Sequence, residues 1–428
     1  MKLRSVAIAA AAMLALAACS SGTDDPAAAT GPLEVKYYSV QQPTEGWPLV
    51  FGKLTDDYAK TKPGTTLKVE VAPQADLDQK LQLLASQNNL PTIFNAPNSN
   101  ELLQQMYDAG QILDLEATLK DLGVFDKLNP AAVELVKKTQ GGKLLGLPLE
   151  LNIEGIWYNK KLFADNGITA PTTWDQLSAA AAALQAKGVQ PFAASGQQGW
   201  PLTRLIGNHL FRTVGPNALA DIKDGKAKLT DPQYVAAAQA VADLGTKGYF
   251  GKGVGSLDYA TAQDLFLQGK AAMFYMGSWA VRDFGNPQTN KIGADNIGFL
   301  PFPTVAGGAG TADQTPMNAG LTTVVSKKAY NAEVGAWLKY IVTNYGDRAL
   351  AEIGLVSGFT ANPPADAGAL TKGVVAQIGA TKQPLLWFEA QFTTKATDTA
   401  TKNVTRLVTG DMSPADYMST LQKAIDQG

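Results

Sequence analysis

The 428-residue sequence contains one cysteine, Cys19, and one histidine, His209. A lone thiol excludes an internal disulfide, so an exported form of this chain depends on core burial for its stability. A lone histidine excludes zinc motifs such as H-E-x-x-H and makes any Ser-His-Asp arrangement depend on His209, which reads as an ordinary helix residue with a satisfied hydrogen bond. Charge is also sparse. Asp, Glu, Lys and Arg make up 17% of the residues, with 36 basic against 38 acidic. No Lys/Arg run or stripe accompanies that balance, which argues against nucleic acid or another polyanion as partner. Phosphate cradles are absent too: G-x-x-x-x-G-K-[ST] is never completed and no G-x-G-x-x-G follows the first strand. The cluster Gly307-Gly308-Ala309-Gly310 reads as a flexible turn.

What is present begins with a processing segment. Lys2 and Arg4 precede an apolar stretch from Val6 to Ala18, too short to remain as a helix across a bilayer of about 30 Å. Leu16-Ala17-Ala18-Cys19 resembles the lipobox of bacterial lipoproteins, in which the cysteine is diacylated and becomes the new N-terminus; an ordinary secretory signal is the alternative. Residues 1–18 are thus expected to be a signal peptide, and residues 19–32 a lipidated tether of small and polar residues.

From Leu33 onward the pattern is α/β. LEVKYYSV (33–40) alternates as a strand, Leu49–Lys60 carries one apolar helical face, TTLKVEVAP (65–73) is a second strand, 76–88 a helix and PTIFNAP (91–97) a short buried strand. Such alternation predicts parallel pairing, with loops gathered at the strands' C-terminal ends. Further on, Thr172 or Thr173 is placed to cap an Ala-rich helix, and Trp200-Pro201 to open another.

One stretch organises the rest. GKLLGLPLELNIEGIWYNKKLF (142–163) leaves an apolar run at Pro148, alternates through Glu150, Asn152 and Glu154, and closes on Trp157-Tyr158-Asn159. An extended segment with two different faces suits a crossing between two packed bodies that also lines the cleft between them. Its G-K-x-x-G-x-P and Tyr158-Asn159-Lys160-Lys161-x-Phe163 resemble the first hinge of the family 1 extracellular solute-binding proteins of ABC importers, the group of maltose- and raffinose-type sugar receptors. GKAAMFYMGSW (269–279) resembles that family's G-x-A-A-M-x-x-x-G-x-W motif, IGFLPFP (297–303) its return hinge and GLVSGFTAN (354–362) its last crossing.

The resemblance implies a periplasmic-binding-protein-like fold: two discontinuous α/β lobes, 33–150 with 301–355 and 151–300 with 356–428, joined by a three-segment hinge. It implies capture of a mono- or oligosaccharide and delivery to the transmembrane subunits of an ABC permease. The protein would act as a monomer on the extracytoplasmic face of the cell membrane, without catalysis, cofactor or metal. A sugar offers hydroxyls around apolar C–H faces, so its receptor needs flat aromatic platforms and polar groups that donate and accept. Trp200, Trp279 and Trp387 stand at loop-to-helix boundaries, with Trp279 at the family's platform position. Glu150, Asn152 and Glu154 lie on the crossing. Gln41, Trp47 and Asn95 come from first-lobe strand ends, Asn318 from the entry to a later strand, and Glu389 completes the set. At 95–98, Asn-Ala-Pro-Asn stands where aromatic and acidic residues are common in the family, which leaves the first lobe's share of the site open.

Two other readings compete. A lipid-anchored carbohydrate-active hydrolase would need paired carboxylates, yet Glu150 and Glu154 on one strand lie about 13 Å apart, beyond either glycosidase spacing. The same fold could instead take a polyamine or an organic anion, for which only Arg204 lies in a candidate loop-helix region.

Overall fold

A computed structural model describes residues 32–427; the signal peptide, Cys19 and all but the last residue of the tether lie outside the described residues. Two sheets organise the chain. The first runs β2 (Thr66–Val71), β1 (Glu34–Ser39), β3 (Ile93–Asn95), β10 (Thr323–Val325), β4 (Gly146–Leu147). The second runs β11 (Gln383–Leu385), β9 (Gln314–Asn318), β5 (Asn152–Asn159), β7 (Ala271–Gly277), β6 (Gln190–Ala193), with β8 (Ile297–Leu300) also on β5. The α/β architecture expected from the alternation of strands and helices is therefore present, and β1 pairs in parallel with both β2 and β3. The later strand β10 enters antiparallel between β3 and β4.

Local chemistry sets the elements. Val35 and Tyr37, alternate residues of β1, are buried beneath the helix Gly46–Ala59. That helix packs on Ala332–Ile353, where Phe51 meets Trp337 and Tyr345 at centroid distances of 6.0 and 5.5 Å. Thr173 caps Trp174–Ala186 in a reciprocal capping box with Gln176. The glycines at 307–310 close over the C-terminus of Trp200–Thr213: the amides of Ala309 and Gly310 donate to the carbonyls of Thr213 and Arg212 at 3.2 and 3.0 Å. A Cβ on Gly308 or Gly310 would stand 2.1 Å from a helix carbonyl oxygen, so this cluster caps a helix tightly.

The crossings position the cleft. Between Leu147 and Asn152 the chain passes from the first sheet into β5, burying Leu149 and Leu151. One edge of β5 takes β7; the other takes β9 at Asn152–Ile153 and β8 at Ile156–Asn159. Gly155 falls between those two neighbours, where a Cβ would meet the Phe299 ring at 2.5 Å and the Leu300 carbonyl at 2.8 Å. The stretch 297–303, which resembles a return hinge, instead remains with the second sheet: β8 pairs with β5, and Phe302 stacks on Trp174 at 5.6 Å. Leu300 and Phe302 join the buried cluster around Ile156 and Trp174, Ile297 joins the one around Trp157, and the chain reaches the first sheet only between Asn318 in β9 and Thr323 in β10. The third crossing starts at Gly354, in left-handed conformation at φ +63. It runs beside the first, with Leu151 N–H donating to Val356 O at 2.9 Å and Gly358 N–H to Pro148 O at 2.9 Å.

Candidate ligand cleft

Between the sheets lies a cavity of about 430 Å³, lined from the first lobe by Gln41, Trp47 and Glu150 and from the second by Asn152, Ser278 and Trp279. The loop after β1 is drawn tight at its helix entry: Gln41 Oε1 accepts the Trp47 amide at 2.9 Å. Gly46 between them has φ +52, and any Cβ there would stand 1.9 Å from that same oxygen. Trp47 is mostly buried, so little of its ring is open to the cavity.

Asn95 does not reach this cavity. It is fully buried, accepts the Val40 amide at 2.9 Å, and donates to Tyr37 Oη and Thr323 Oγ1 at 3.2 and 3.1 Å. A polar residue at the end of β3 is thereby spent on joining three strands.

On the crossing, alternate residues have different fates. Asn152 Nδ2 donates to Glu150 Oε2 at 2.9 Å, and Ser278 Oγ donates to Asn152 Oδ1 at 3.2 Å. These groups face the cavity together. Burial pushes the Glu150 carboxyl above the usual carboxylate range, although hydrogen bonds from Asn152 and Trp47 pull it back. Two residues further on, Glu154 is fully buried and accepts from Arg204 Nη1 at 2.6 Å, Tyr275 Oη at 2.9 Å and Asn318 Nδ2 at 3.0 Å.

Arg204 also meets Glu389, with Nε 3.7 Å from Oε2, and Thr203 Oγ1 donates to the other oxygen of Glu389. Burial raises the Glu389 carboxyl even against the nearby guanidinium. Burial alone would lower the Arg204 pKa, but Glu154 and Glu389 outweigh it and raise it. Glu154 and Glu389 thus form a buried bracket around Arg204, with Asn318 donating to Glu154 behind it, and none of the three lines either cleft cavity. The bracket gives both carboxylates a structural partner, unlike the free acid and base of a glycosidase.

The tryptophans divide by exposure. Trp47, Trp157, Trp174 and Trp337 are buried, whereas Trp200, Trp279 and Trp387 are the half-buried ones. Those three form a row with the bracketed arginine: Trp279 to Trp200 at 5.9 Å, the Arg204 guanidinium over Trp200 at 4.5 Å and over Trp387 at 5.8 Å. Trp387 lines a second interlobe cavity of about 230 Å³, opposite Ala96, Pro97, Asn98 and Leu321. The structure thus brings Gln41, Trp47, Glu150, Asn152 and Trp279 to one cavity and Trp387 to the other. Sequence reasoning missed Ser278 and Gly320, although both stand beside residues it chose. It also left Arg204 outside the candidate set, though the basic residue one turn into a helix opening on Trp200 was a usable signal.

Among the described residues, no group of three or more His, Cys, Asp or Glu is arranged to hold a metal ion. Nor is any described helix long and apolar enough to cross a membrane.

Comparison with known proteins agrees with this geometry. The family model for bacterial extracellular solute-binding protein matches residues 40–346, well over half of the chain. A multiple sugar-binding protein of Streptococcus mutans is 25% identical over 304 residues, 68% of this chain and 67% of that one. Two other relatives are matched over only 38% and 53% of their length. A solved chitin oligosaccharide binding protein shares 29% identity with a TM-score of 0.73, covering 92% of this chain and 98% of that one. A probable secreted solute-binding lipoprotein from Streptomyces coelicolor superposes with a TM-score of 0.78 at 19% identity, over 93% and 99% of the two chains, which speaks for the fold alone. With its two lobes, three crossings and interlobe cleft, the chain belongs to the bacterial extracellular solute-binding protein family.

Proposed function

We propose that this chain captures a mono- or oligosaccharide in the cleft between its lobes and delivers it to the transmembrane subunits of an ABC importer. The observation that carries the reading is the disposition of Trp279: a half-buried indole on the second-lobe wall beside Asn152 and Ser278, across from Gln41 and Glu150 of the first lobe. The indole suits the C–H face of a sugar, and the polar groups suit its hydroxyls. Relatives named for multiple sugars and for chitin oligosaccharides support the same class of ligand.

The mechanism is a population shift. A ligand that touches both walls stabilises the closed arrangement, since only there are the aromatic and polar groups complete, and the permease reads the closed pair of lobe surfaces. The protein works as a monomer, outside the cytoplasm, tethered through a lipid on Cys19, and no covalent step is required. Intrinsic tryptophan fluorescence of a form starting after Cys19, titrated with mono- and oligosaccharides, polyamines and organic anions, tests the reading. A saturable change with one glycan class is the expected result. Responses confined to polyamines or anions would overturn the carbohydrate assignment, and shortening of an oligosaccharide during incubation would revive the hydrolase.

A further inference from the structure

We propose that Lys138 is an interlobe catch: by holding the carbonyl of Pro384 it restrains the opening of the lobes, and so sets how tightly the cleft keeps a ligand that Lys138 itself does not touch. The inference rests on the two-lobe capture mechanism and not on the ligand being a sugar.

The first observation is how few bonds join the lobes. The chain passes between them at 147–152, 318–323 and 354–362. Away from those crossings, one hydrogen bond among the described residues spans the two lobes: Lys138 Nζ, on the helix Pro130–Thr139, donates to Pro384 O in β11 at 3.0 Å. The ion pairs among the described residues each stay within one lobe.

The second observation is that each end of this bond is fixed in its own lobe. Lys137 of the helix pairs with Glu116, and Gln140 at its end accepts the Leu145 amide, next to β4 of the first sheet, at 2.9 Å. Glu134, one turn before Lys138, holds the ammonium at 2.7 Å and leaves it further N–H groups to donate. On the other side, β11 is held by its parallel pairing with β9. It is the last strand of the second sheet, so a carbonyl turned away from β9 needs a donor from elsewhere. For Pro384 that donor is Lys138.

The third observation is that the same two segments frame ligand space. Leu135 and Thr139 of the helix, with Trp387 and Ala390 beyond β11, line the interlobe cavity of about 230 Å³. A rotation that draws the helix away from 384–390 therefore widens that cavity and breaks the Lys138 bond in one movement. Lys138 lines neither cleft cavity, which separates its effect from ligand contact. Its side chain is 34% exposed, so water competes for the bond. A bond of that strength yields in each cycle of opening, as a catch must.

A form starting after Cys19 has no cysteine, so Asp121→Cys in the first lobe and Lys382→Cys in the second, both at exposed positions, give it one spin label on each lobe. Pulsed dipolar spectroscopy of this ligand-free protein is expected to show a longer and broader label separation in Lys138→Met. Lys138→Arg, which keeps a donor within reach, should restore the parent separation. Across the mono- and oligosaccharides, polyamines and organic anions of the fluorescence panel, Lys138→Met should weaken every compound that binds by one common factor, about threefold to tenfold. Thermal midpoints within a few degrees of the parent would show that each variant is folded. An unchanged separation in Lys138→Met would overturn the catch and leave sugar capture standing. A loss of affinity that differs from compound to compound would assign Lys138 to ligand contact and overturn it as well. If no sugar in the panel binds, the carbohydrate reading falls, while the label separation still decides the catch.

Discussion

The two walls of the cleft are built on opposite plans. The first-lobe wall is made of short loops whose polar residues are largely spent internally, Asn95 on strand joining and Gln41 on the Trp47 amide. The second-lobe wall carries three half-buried indoles held by a buried Glu154–Arg204–Glu389 bracket. The contrast teaches a division of labour. A rigid aromatic wall offers binding surface in advance, while the opposing wall spends most of its polar groups on holding its own loops in place.

The largest expected effect comes from breaking the bracket. Arg204→Met leaves Glu154 and Glu389 buried without their cation, which should cost about 3–5 kcal/mol in a urea unfolding experiment. Adding Glu154→Gln should recover part of that loss, since one uncompensated charge disappears. Full stability in the single variant would show that the wall does not depend on the ion pairs.

Next is a pH effect in the second lobe. His209 is buried against Trp174, with Thr213 Oγ1 at 3.2 Å from its Nδ1, and burial lowers its pKa from 6.5 to about 4. A depressed pKa contributes stability that is complete above pH 6.5 and drains away as pH falls toward about 4, by roughly 3 kcal/mol at most. Glu150 and Glu389 have the opposite sign. Their raised values give stability that is present below the ordinary carboxylate range and lost as pH rises through the shifted one. Comparing wild type with His209→Gln separates the two. The variant should lose less stability than wild type between pH 7 and pH 4.5, and parallel curves would refute the assignment.

A smaller effect is expected in the first lobe. Asn95→Ala strands the Val40 amide and removes the donor to Tyr37 and Thr323, at a cost of about 2 kcal/mol in thermal or chemical unfolding. Smaller again, Gly320→Ala places a methyl group against Glu150 at φ +57. We expect about 1–2 kcal/mol of strain together with weaker glycan binding. Unchanged affinity there would mean that the space beside Glu150 is not used.

The second wall was legible in the sequence because its signals are local. A large aromatic residue at a loop-to-helix boundary, as at Trp200 and in Gly277-Ser278-Trp279, is a local signal for a cleft wall, although Trp47 and Trp174, also at helix starts, are buried. Its supporting bracket was not legible, since Glu154, Arg204 and Glu389 are joined only by tertiary packing across 50 and 185 positions of the chain. Glu154 shares the alternation of Glu150 and Asn152 and so looked like a third lining residue. Whether a carboxylate on that face meets ligand or a buried guanidinium depends on the helix laid across it. Asn95 failed similarly: a polar strand end reads alike whether it faces solvent or a neighbouring strand. The likeness of 297–303 to a return hinge could not say which sheet would receive it, and β5 had a free edge that β8 fills.

The most direct test of the account is to titrate wild type, Trp279→Ala and Asn95→Ala with the bound glycan under conditions where all three are folded. If the second-lobe wall carries the ligand, Trp279→Ala loses about 2 kcal/mol of affinity, roughly 30-fold, while Asn95→Ala binds as wild type does despite its lower melting point. Equal binding by Trp279→Ala, or a loss confined to Asn95→Ala, would contradict it.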